Sequence, residues 1–286
     1  MDGLYTRVSS TTKQVLYQFM KDQAVSLLNY HFEHFFQFCI QQNNIQVIPH
    51  HFSSHKIEGL TVVDELGTSF SYERDNPKVK QNFTLCHELG HFILKHDGSY
   101  FAESVDNQED LLEREANVFS AVALMPDIVL LSKIYYSCDT FQRVQDSLEV
   151  SKQAFYFRLL DLLREYFPSR ENEIKCAIGT YITGSNASVL LLFHEIKDEI
   201  IEEFNQYQPS FVNQIKQKVN ELGFVTSQEF PELENQDNWN LIKENNTDLK
   251  TWLIYNKGKT VAYVWNSKKL SDSEARKKAE LQLLLM

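Results

Sequence analysis

The sequence predicts a mainly helical α+β protein, with a small β-sheet in its first part and a separate α+β module at its carboxyl end. Three observations predict this class: long stretches with apolar residues at helical spacing, a few short strand-like segments bounded by turn residues, and a polar boundary at 168–172. At 286 residues the chain is long enough for two domains. We place the first over residues 1–170 and the second, of unknown role, over residues 171–286.

Residues 13–42 predict one or two helices of unusual aromatic content. Core packing is the expected role of these rings, and a peptide-binding groove is the alternative. The aromatic residues are Tyr17, Phe19, Tyr30, Phe32, Phe35, Phe36 and Phe38. His31 and His34 lie in the same stretch without a nearby third ligand, so we expect them to be structural.

Three short strands are predicted next, at 45–48, 59–63 and 68–72, with Gly67 supplying the turn before the last of them. We expect the strand 68–72 to be an edge strand, which can hold an extended peptide through main-chain hydrogen bonds. An ordinary sheet strand is the alternative.

The segment His87-Glu88-Leu89-Gly90-His91 is the most informative motif in the chain. Apolar residues at helical spacing around it, and Asp97-Gly98 after it, predict a helix that ends near residue 97. On a helix the two histidines share one face, so both can reach a single metal ion, while Glu88 can touch a water bound to that ion. A glycine inside the helix indicates close packing against a neighbour.

A catalytic zinc ion needs a third protein ligand. In the extended motif with a third histidine, the turn glycine would fall at Leu94 and the ligand at Asp97, and the leucine disfavours that turn. His96 is off the shared face, and we expect a helix-end or surface histidine there.

The following helix offers a better third ligand. Residues 111–124 favour a helix that Pro126 ends, and one narrow face of it carries small or polar residues that allow close approach. Glu113 lies on that face as the expected ligand, and Asn117, one turn later, can orient a ligand histidine. Glu115 shares a face with apolar residues and is the weaker candidate.

The runs 80–96, 113–120 and 124–126 together resemble the ImmA/IrrE metallopeptidases, which are intracellular zinc peptidases of a minimal zincin-like, gluzincin-like fold. The resemblance covers about residues 55–165 and says little about residues 175–286. Members with a known activity cleave helix-turn-helix repressors.

By position, the resemblance implies that His87, His91 and Glu113 hold one zinc ion and that Glu88 is the general base. Family members often have alanine where this chain has Cys86 and Ser120, and neither change removes a ligand. Cys86 is expected to be a small buried apolar residue, with metal binding or oxidant sensing as the alternative.

Zinc would lower the pKa of a bound water to about 7 and polarise the scissile carbonyl, and Glu88 would carry the proton to the leaving amine. The donor that stabilises the oxyanion is left open among Tyr100, His96 and His55.

Residues 139–167 predict two helices capped by Asp139-Thr140 and Ser151, joined by a short turn that resembles a helix-turn-helix. The basic residues on the second helix, Lys152, Arg158 and Arg164, are balanced by acidic ones, so a helical hairpin closing the first domain is favoured over DNA binding.

Beyond residue 170 we predict two strands over 176–193 around a turn at 183–186, and then acidic helices over 195–222. A hairpin over 251–265 turns at 256–259, and a helix over 272–286 ends the chain. His194 and Glu195 lack a second histidine and are not expected to form a metal site.

Composition fits an enzyme that acts in the cytoplasm. The polar start does not resemble a signal peptide, and no run of about 18 apolar residues suggests a membrane span. The four cysteines contain no C-x-x-C pair, so neither a disulfide framework nor a second zinc site is expected. A net charge of −11 opposes direct nucleic-acid binding and fits a basic protein partner.

We therefore expect a zinc-dependent endopeptidase with a specific protein target, a helix-turn-helix transcriptional repressor. Two alternatives stay open: a metal-binding regulator without turnover, and a DNA-binding regulator that uses residues 139–167. Oligomeric state, cleavage sequence and activating signal are not predicted.

Overall fold

Nine α-helices and four strands are described in the first 207 residues of the computed structural model. The described part of the chain is 3–51, 57–65, 67–96, 100–104 (backbone only), 111–244 and 246–286. The helices are α1 Gly3–Asp22, α2 Phe32–Gln42, α3 Lys78–Ile93, α4 Leu111–Leu124, α5 Asp127–Leu130, α6 Phe141–Ser147, α7 Lys152–Tyr166, α8 Glu171–Ile182 and α9 Ala187–Gln206. The strands are β1 Gln46–His50, β2 Ile57–Asp64, β3 Gly67–Glu73 and β4 Tyr100–Ser104.

The four strands form one sheet in the order β1-β3-β2-β4. The three strands predicted from the sequence are confirmed, but the prediction that 68–72 forms an edge was wrong. Phe70 in β3 pairs with Val47 on one side and with Thr61 on the other, so both of its edges are occupied. Within the described residues the edges are β1 and β4, and β4 runs antiparallel to β2.

The aromatic residues of α1 and α2 form part of the core, as predicted. Phe19 and Phe35 are buried with ring centroids 5.4 Å apart. Tyr30 is buried on the segment between these helices, and its hydroxyl donates to the Ala123 carbonyl at the end of α4. Burial of these rings, together with the Tyr30 hydrogen bond, ties α1 and α2 to the helix that carries Glu113.

The helical hairpin α6–α7 has the caps that the sequence predicts. The Thr140 side chain accepts from Arg143 N and the Ser151 side chain accepts from Ala154 N. On α7, however, Arg158 is 1% exposed and Arg164 pairs with Glu171. Two of the three basic side chains that DNA recognition would require are therefore engaged within the protein.

The two strands predicted over 176–193 are wrong, because this segment forms α8 and the first part of α9. The buried positions of α8, Ile174, Ile178 and Tyr181, recur at helical spacing. Gly184, with φ +102°, lies in the turn between the two helices. β-branched and aromatic residues led to the strand prediction, and their burial against a helical core decides the outcome.

The chain separates into two compact units, Met1–Tyr207 and Gln208–Met286. The spatial division thus falls 37 residues after the boundary expected at residue 170. The physical reason is that α8 and α9 bury their apolar faces in the same core as the preceding helices, for example at Ile178 and Phe193.

The second unit is a small α+β module, as predicted. Its elements are α10 Phe211–Leu222, β5 Phe224–Thr226, α11 Asp237–Lys243, β6 Leu249–Asn256, β7 Lys259–Asn266 and α12 Asp272–Leu285. The strands pair in the order β5-β7-β6. Lys257 and Gly258 both have positive φ, which is the geometry of a two-residue hairpin turn. A capping box between Ser271 and Glu274 begins α12.

The helical run Leu111–Tyr136 is long and apolar enough to cross a membrane by length and composition, with a mean hydropathy of 1.6. The hydropathy refers to an 18-residue window of this run, and 78% of that window is buried inside the protein, which is the pattern of a core helix.

A buried ionic cluster joins α1, α5, α7 and α9. Lys13 Nζ lies 2.6 Å from Asp127 Oδ2 and 2.8 Å from Glu203 Oε2, and Arg158 also pairs with Asp127. Burial would raise the pKa of Asp127, but Lys13 and Arg158 outweigh it and hold this pKa below its ordinary value. Asp127 is therefore the carboxylate that both buried cations share, and Glu203 gives Lys13 a second partner.

We predict that Asp127→Ala destabilises the protein by about 3–5 kcal/mol, because Lys13 and Arg158 would be left buried without their shared carboxylate. Urea unfolding followed by circular dichroism measures this. Asp198→Ala is the control, since the Asp198 side chain is 84% exposed and its ion pair with Lys197 contributes little. A loss below about 1 kcal/mol for Asp127→Ala contradicts the assignment.

Candidate metal centre and catalytic carboxylate

The predicted motif lies on α3 with its chemical groups inside the protein. His87 and His91 are each 1% exposed and Glu88 is 0% exposed. Gly90 explains how α3 comes so close to α4: a Cβ atom there would lie 3.0 Å from Phe119 Cδ1 and 3.2 Å from Phe119 Cβ. The close packing predicted from this glycine is confirmed, and the partner is a buried ring of α4.

Three of the predicted residues converge on one point. His87 Nε2 lies 3.0 Å from His91 Nε2 and 3.0 Å from Glu113 Oε2, and His91 Nε2 lies 3.5 Å from Glu113 Oε1. In a tetrahedral zinc site with bonds of about 2.05 Å, ligand atoms are about 3.3 Å apart. The spacing of these four atoms, two imidazole nitrogens and the two oxygens of one carboxylate, is therefore compatible with a zinc site.

The hydrogen bonds behind the histidines also fit a cation. His87 Nδ1 lies 3.1 Å from Asn117 Oδ1, which accepts, so Nδ1 carries the proton and Nε2 presents a lone pair. This is the orienting role expected for Asn117. Burial, and next the neighbouring His87, lower the pKa of His91 to about 3, so its imidazole is neutral and able to ligate. Lone pairs and a carboxylate facing one another are stabilised by a positive ion between them.

Glu88 is held against the sheet by two features of β2. Thr61 Oγ1 donates to Glu88 Oε2 at 2.5 Å, and Thr61 is itself buried. A Cβ atom at Gly59 would lie 2.5 Å from both Glu88 Oε1 and Thr84 Cγ2, so only glycine leaves room for the carboxylate. Sequence reasoning missed both residues. A glycine inside a predicted strand was the available signal, since it often marks close approach of another group.

Glu115 and His96 lie on the far side of His91. Glu115 does not join the three converging atoms: its Oε2 lies 3.0 Å from His96 Nε2, and Arg7 of α1 donates to its Oε1. Of the two positions expected for His96, the helix end is confirmed, because His96 follows the last turn of α3. The surface position is wrong, because its side chain is 4% exposed and its Nδ1 lies 2.8 Å from His91 Nδ1. Lys95 adopts φ +57°, which turns the chain back instead of extending the helix.

The other residues that the sequence singled out lie outside the group of converging ligands or outside the described residues. Cys86 is 0% exposed, burial raises its thiol pKa, and its Sγ lies 3.9 Å from the Ser120 carbonyl, so it is the small buried residue that we expected. Asp97 and His55 lie outside the described residues, and Tyr100 is described only as backbone of β4. His31 caps α2 and lies 3.1 Å from Glu149, consistent with a structural role.

Among the described residues, His51, Glu73 and Asp75 form a second group that could hold a metal ion. The His51 and Asp75 side chains are 38% and 57% exposed, and exposed groups of this kind are common without an ion. We assign no site to them.

A cavity of about 960 Å³ opens beside His87 and Glu113. It lies between α3, α4 and α7, and most of its lining is apolar. Its apolar residues include Phe83, Val118, Ala121, Leu124, Met125, Val150, Ala154 and Phe157. The cavity is large enough for an amino-acid side chain next to the three converging atoms.

A helix that presents two histidines and a glutamate, against a second helix that presents a carboxylate, is the arrangement of a metallopeptidase domain. Comparison with protein families agrees: residues 40–160 match the model of the Peptidase_M78 family, described as the IrrE N-terminal-like domain, so this part of the chain is similar to that metallopeptidase family. The resemblance to ImmA/IrrE proteins is confirmed. Searches of curated proteins and of solved structures found no match.

We predict that Gly59→Ala destabilises the protein by about 1–3 kcal/mol, since the added methyl group must displace Glu88 and Thr84. Bound zinc should be retained, because neither displaced residue is an expected ligand. Thermal unfolding and elemental analysis measure the two effects. Gly179→Ala is the matched control: its Cβ meets nothing within 4 Å inside α8, so equal or higher stability is expected. Wild-type stability of Gly59→Ala contradicts the packing described.

Proposed function

We propose that this protein is a zinc-dependent endopeptidase that cleaves a specific protein target. The observation that supports this most is that side-chain atoms of His87, His91 and Glu113 lie within 3.5 Å of one another. Glu88, whose carboxylate is buried, directly follows His87 on α3. His87 and His91 would hold the ion through Nε2, and Glu113 through its carboxylate.

A bound zinc ion supplies Lewis acidity, which lowers the pKa of a coordinated water and polarises the scissile carbonyl. Glu88 accepts the proton of the attacking water as the carbon–oxygen bond forms. It then delivers that proton to the peptide nitrogen as the carbon–nitrogen bond breaks, which releases an amine and a carboxylic acid that retains the second proton of the water. The hydrogen bond from Thr61 holds the carboxylate in one orientation for both transfers.

Two features suit an extended peptide. β4 pairs with β2 on one side and forms an edge of the sheet in the described residues. We therefore assign to β4 the binding of an extended peptide that we had expected for 68–72. An incoming segment would add to this edge through main-chain hydrogen bonds. The apolar cavity beside His87 would then take an apolar side chain of the substrate near the scissile bond.

A helix-turn-helix transcriptional repressor is the proposed target, and the cytoplasm is the proposed place of action. This part of the proposal follows from the family resemblance. The net charge of −11 is compatible with a basic DNA-binding partner.

We predict that Glu88→Gln keeps bound zinc and loses cleavage by about 10²–10⁴-fold, since the amide cannot accept the proton. The assay incubates the purified protein with candidate helix-turn-helix repressors, beginning with any that is encoded beside its gene, and identifies the products by mass spectrometry. Glu199→Gln, at an exposed position on α9, is the control and should cleave normally. Proteolysis by Glu88→Gln at the wild-type rate would refute the role of Glu88. Bound zinc without cleavage by the wild type would favour a regulator.

We predict that Ala121→Phe lowers kcat/KM by about 10–200-fold while zinc binding stays unchanged, because the ring would fill the cavity intended for a substrate side chain. Steady-state kinetics on a peptide spanning the cleavage site measure this. Ala187→Phe places the same ring at an exposed position of α9 and should have no effect. Unchanged kinetics for Ala121→Phe would show that the substrate does not use this cavity.

A further inference from the structure

A chain of polar contacts begins on the side of His91 that faces away from Glu113. His91 Nδ1 lies 2.8 Å from His96 Nδ1, and the opposite nitrogen of the same ring, His96 Nε2, lies 3.0 Å from Glu115 Oε2. Arg7 of α1 donates to the other oxygen of Glu115. The chain thus runs from a candidate metal ligand through α4 to α1.

The positions of the protons along this chain follow from the metal site. If His91 Nε2 faces the ion, Nδ1 must carry the proton and donate it to His96 Nδ1. With His96 Nδ1 accepting, the proton of this ring lies on Nε2, which points at the Glu115 carboxylate. Each contact has one donor and one acceptor, so a single arrangement of tautomers satisfies the whole chain.

Burial makes the carboxylate dependent on its partners. Glu115 is 5% exposed and His96 has a side-chain exposure of 4%, so water contributes little to either. The guanidinium of Arg7, whose side chain is 61% exposed, supplies the compensating charge from the surface. The two oxygens of Glu115 thus have separate partners, Arg7 on one and His96 on the other.

We propose that His96, Glu115 and Arg7 are positioning residues that hold the His91 imidazole with Nε2 toward the metal ion and strengthen its binding. This inference rests on the proposed zinc site and goes beyond it. In many metal sites a carboxylate accepts a hydrogen bond from a ligand histidine, orients its ring and thereby strengthens metal binding. Here the imidazole of His96 lies between the carboxylate of Glu115 and the candidate ligand His91. Arg7 lies outside residues 40–160, so the metal centre would depend on a helix that the family match does not include.

Zinc affinity, measured by competition with a chromophoric chelator, tests the proposal without any substrate. His96→Ala should weaken zinc binding by about 10–100-fold. His96→Gln keeps an acceptor and a donor and should lie between His96→Ala and the wild type. The matched control is His31→Ala, which removes another imidazole–carboxylate contact, 3.1 Å to Glu149, that involves no candidate ligand. Its affinity should equal that of the wild type.

Two milder variants keep the test decisive if His96→Ala does not fold. Glu115→Gln preserves shape, and Arg7→Ala changes a largely exposed residue. Each should weaken zinc binding by roughly 3–10-fold and alter the visible spectrum of the cobalt-substituted protein. Wild-type affinity within two-fold for both variants would overturn the proposal. A wild-type protein that binds no zinc would instead overturn the proposed function, so the two failures are distinguishable.

Discussion

The close approach of α3 and α4 is the constraint on which the site depends. Gly90 leaves no side chain between the helices, and Phe119 fills the space against it. At that separation, atoms from two different helices, His87 Nε2 and Glu113 Oε2, come within 3.0 Å of each other. Packing energy from an apolar contact thereby brings together two candidate metal ligands that lie on different helices.

The sheet and α1 also contact residues of the site. Gly59 and Thr61 of β2 fix the carboxylate of Glu88, while Arg7 of α1 is connected to His91 through Glu115 and His96. The side chain of the proposed base, Glu88, is thus fixed by β2, while the candidate ligand His91 is connected to α1. Under the proposed function, substitutions in β2 would affect proton transfer and substitutions in α1 would affect metal binding.

Much of this arrangement follows from local sequence signals, and the rest does not. Helical spacing and caps predict α3, α4, α6 and α7, and i,i+4 spacing on α3 places His87 and His91 on one face. Spacing alone cannot reveal contacts that depend on long-range packing, such as Thr61 with Glu88 or Arg7 with Glu115. The burial of His96 could not be predicted from spacing, because a left-handed residue, Lys95, returns the chain toward the core after the helix ends. The segment 176–193 was misjudged because its side chains suit either a strand or a buried helix.

X-ray absorption at the zinc edge of the purified protein tests the central claim most directly. The account predicts one zinc ion per chain, bound only by nitrogen and oxygen at about 2.0–2.2 Å, with the scattering signature of two imidazoles. A sulfur neighbour at about 2.3 Å, a single imidazole or the absence of zinc would contradict it.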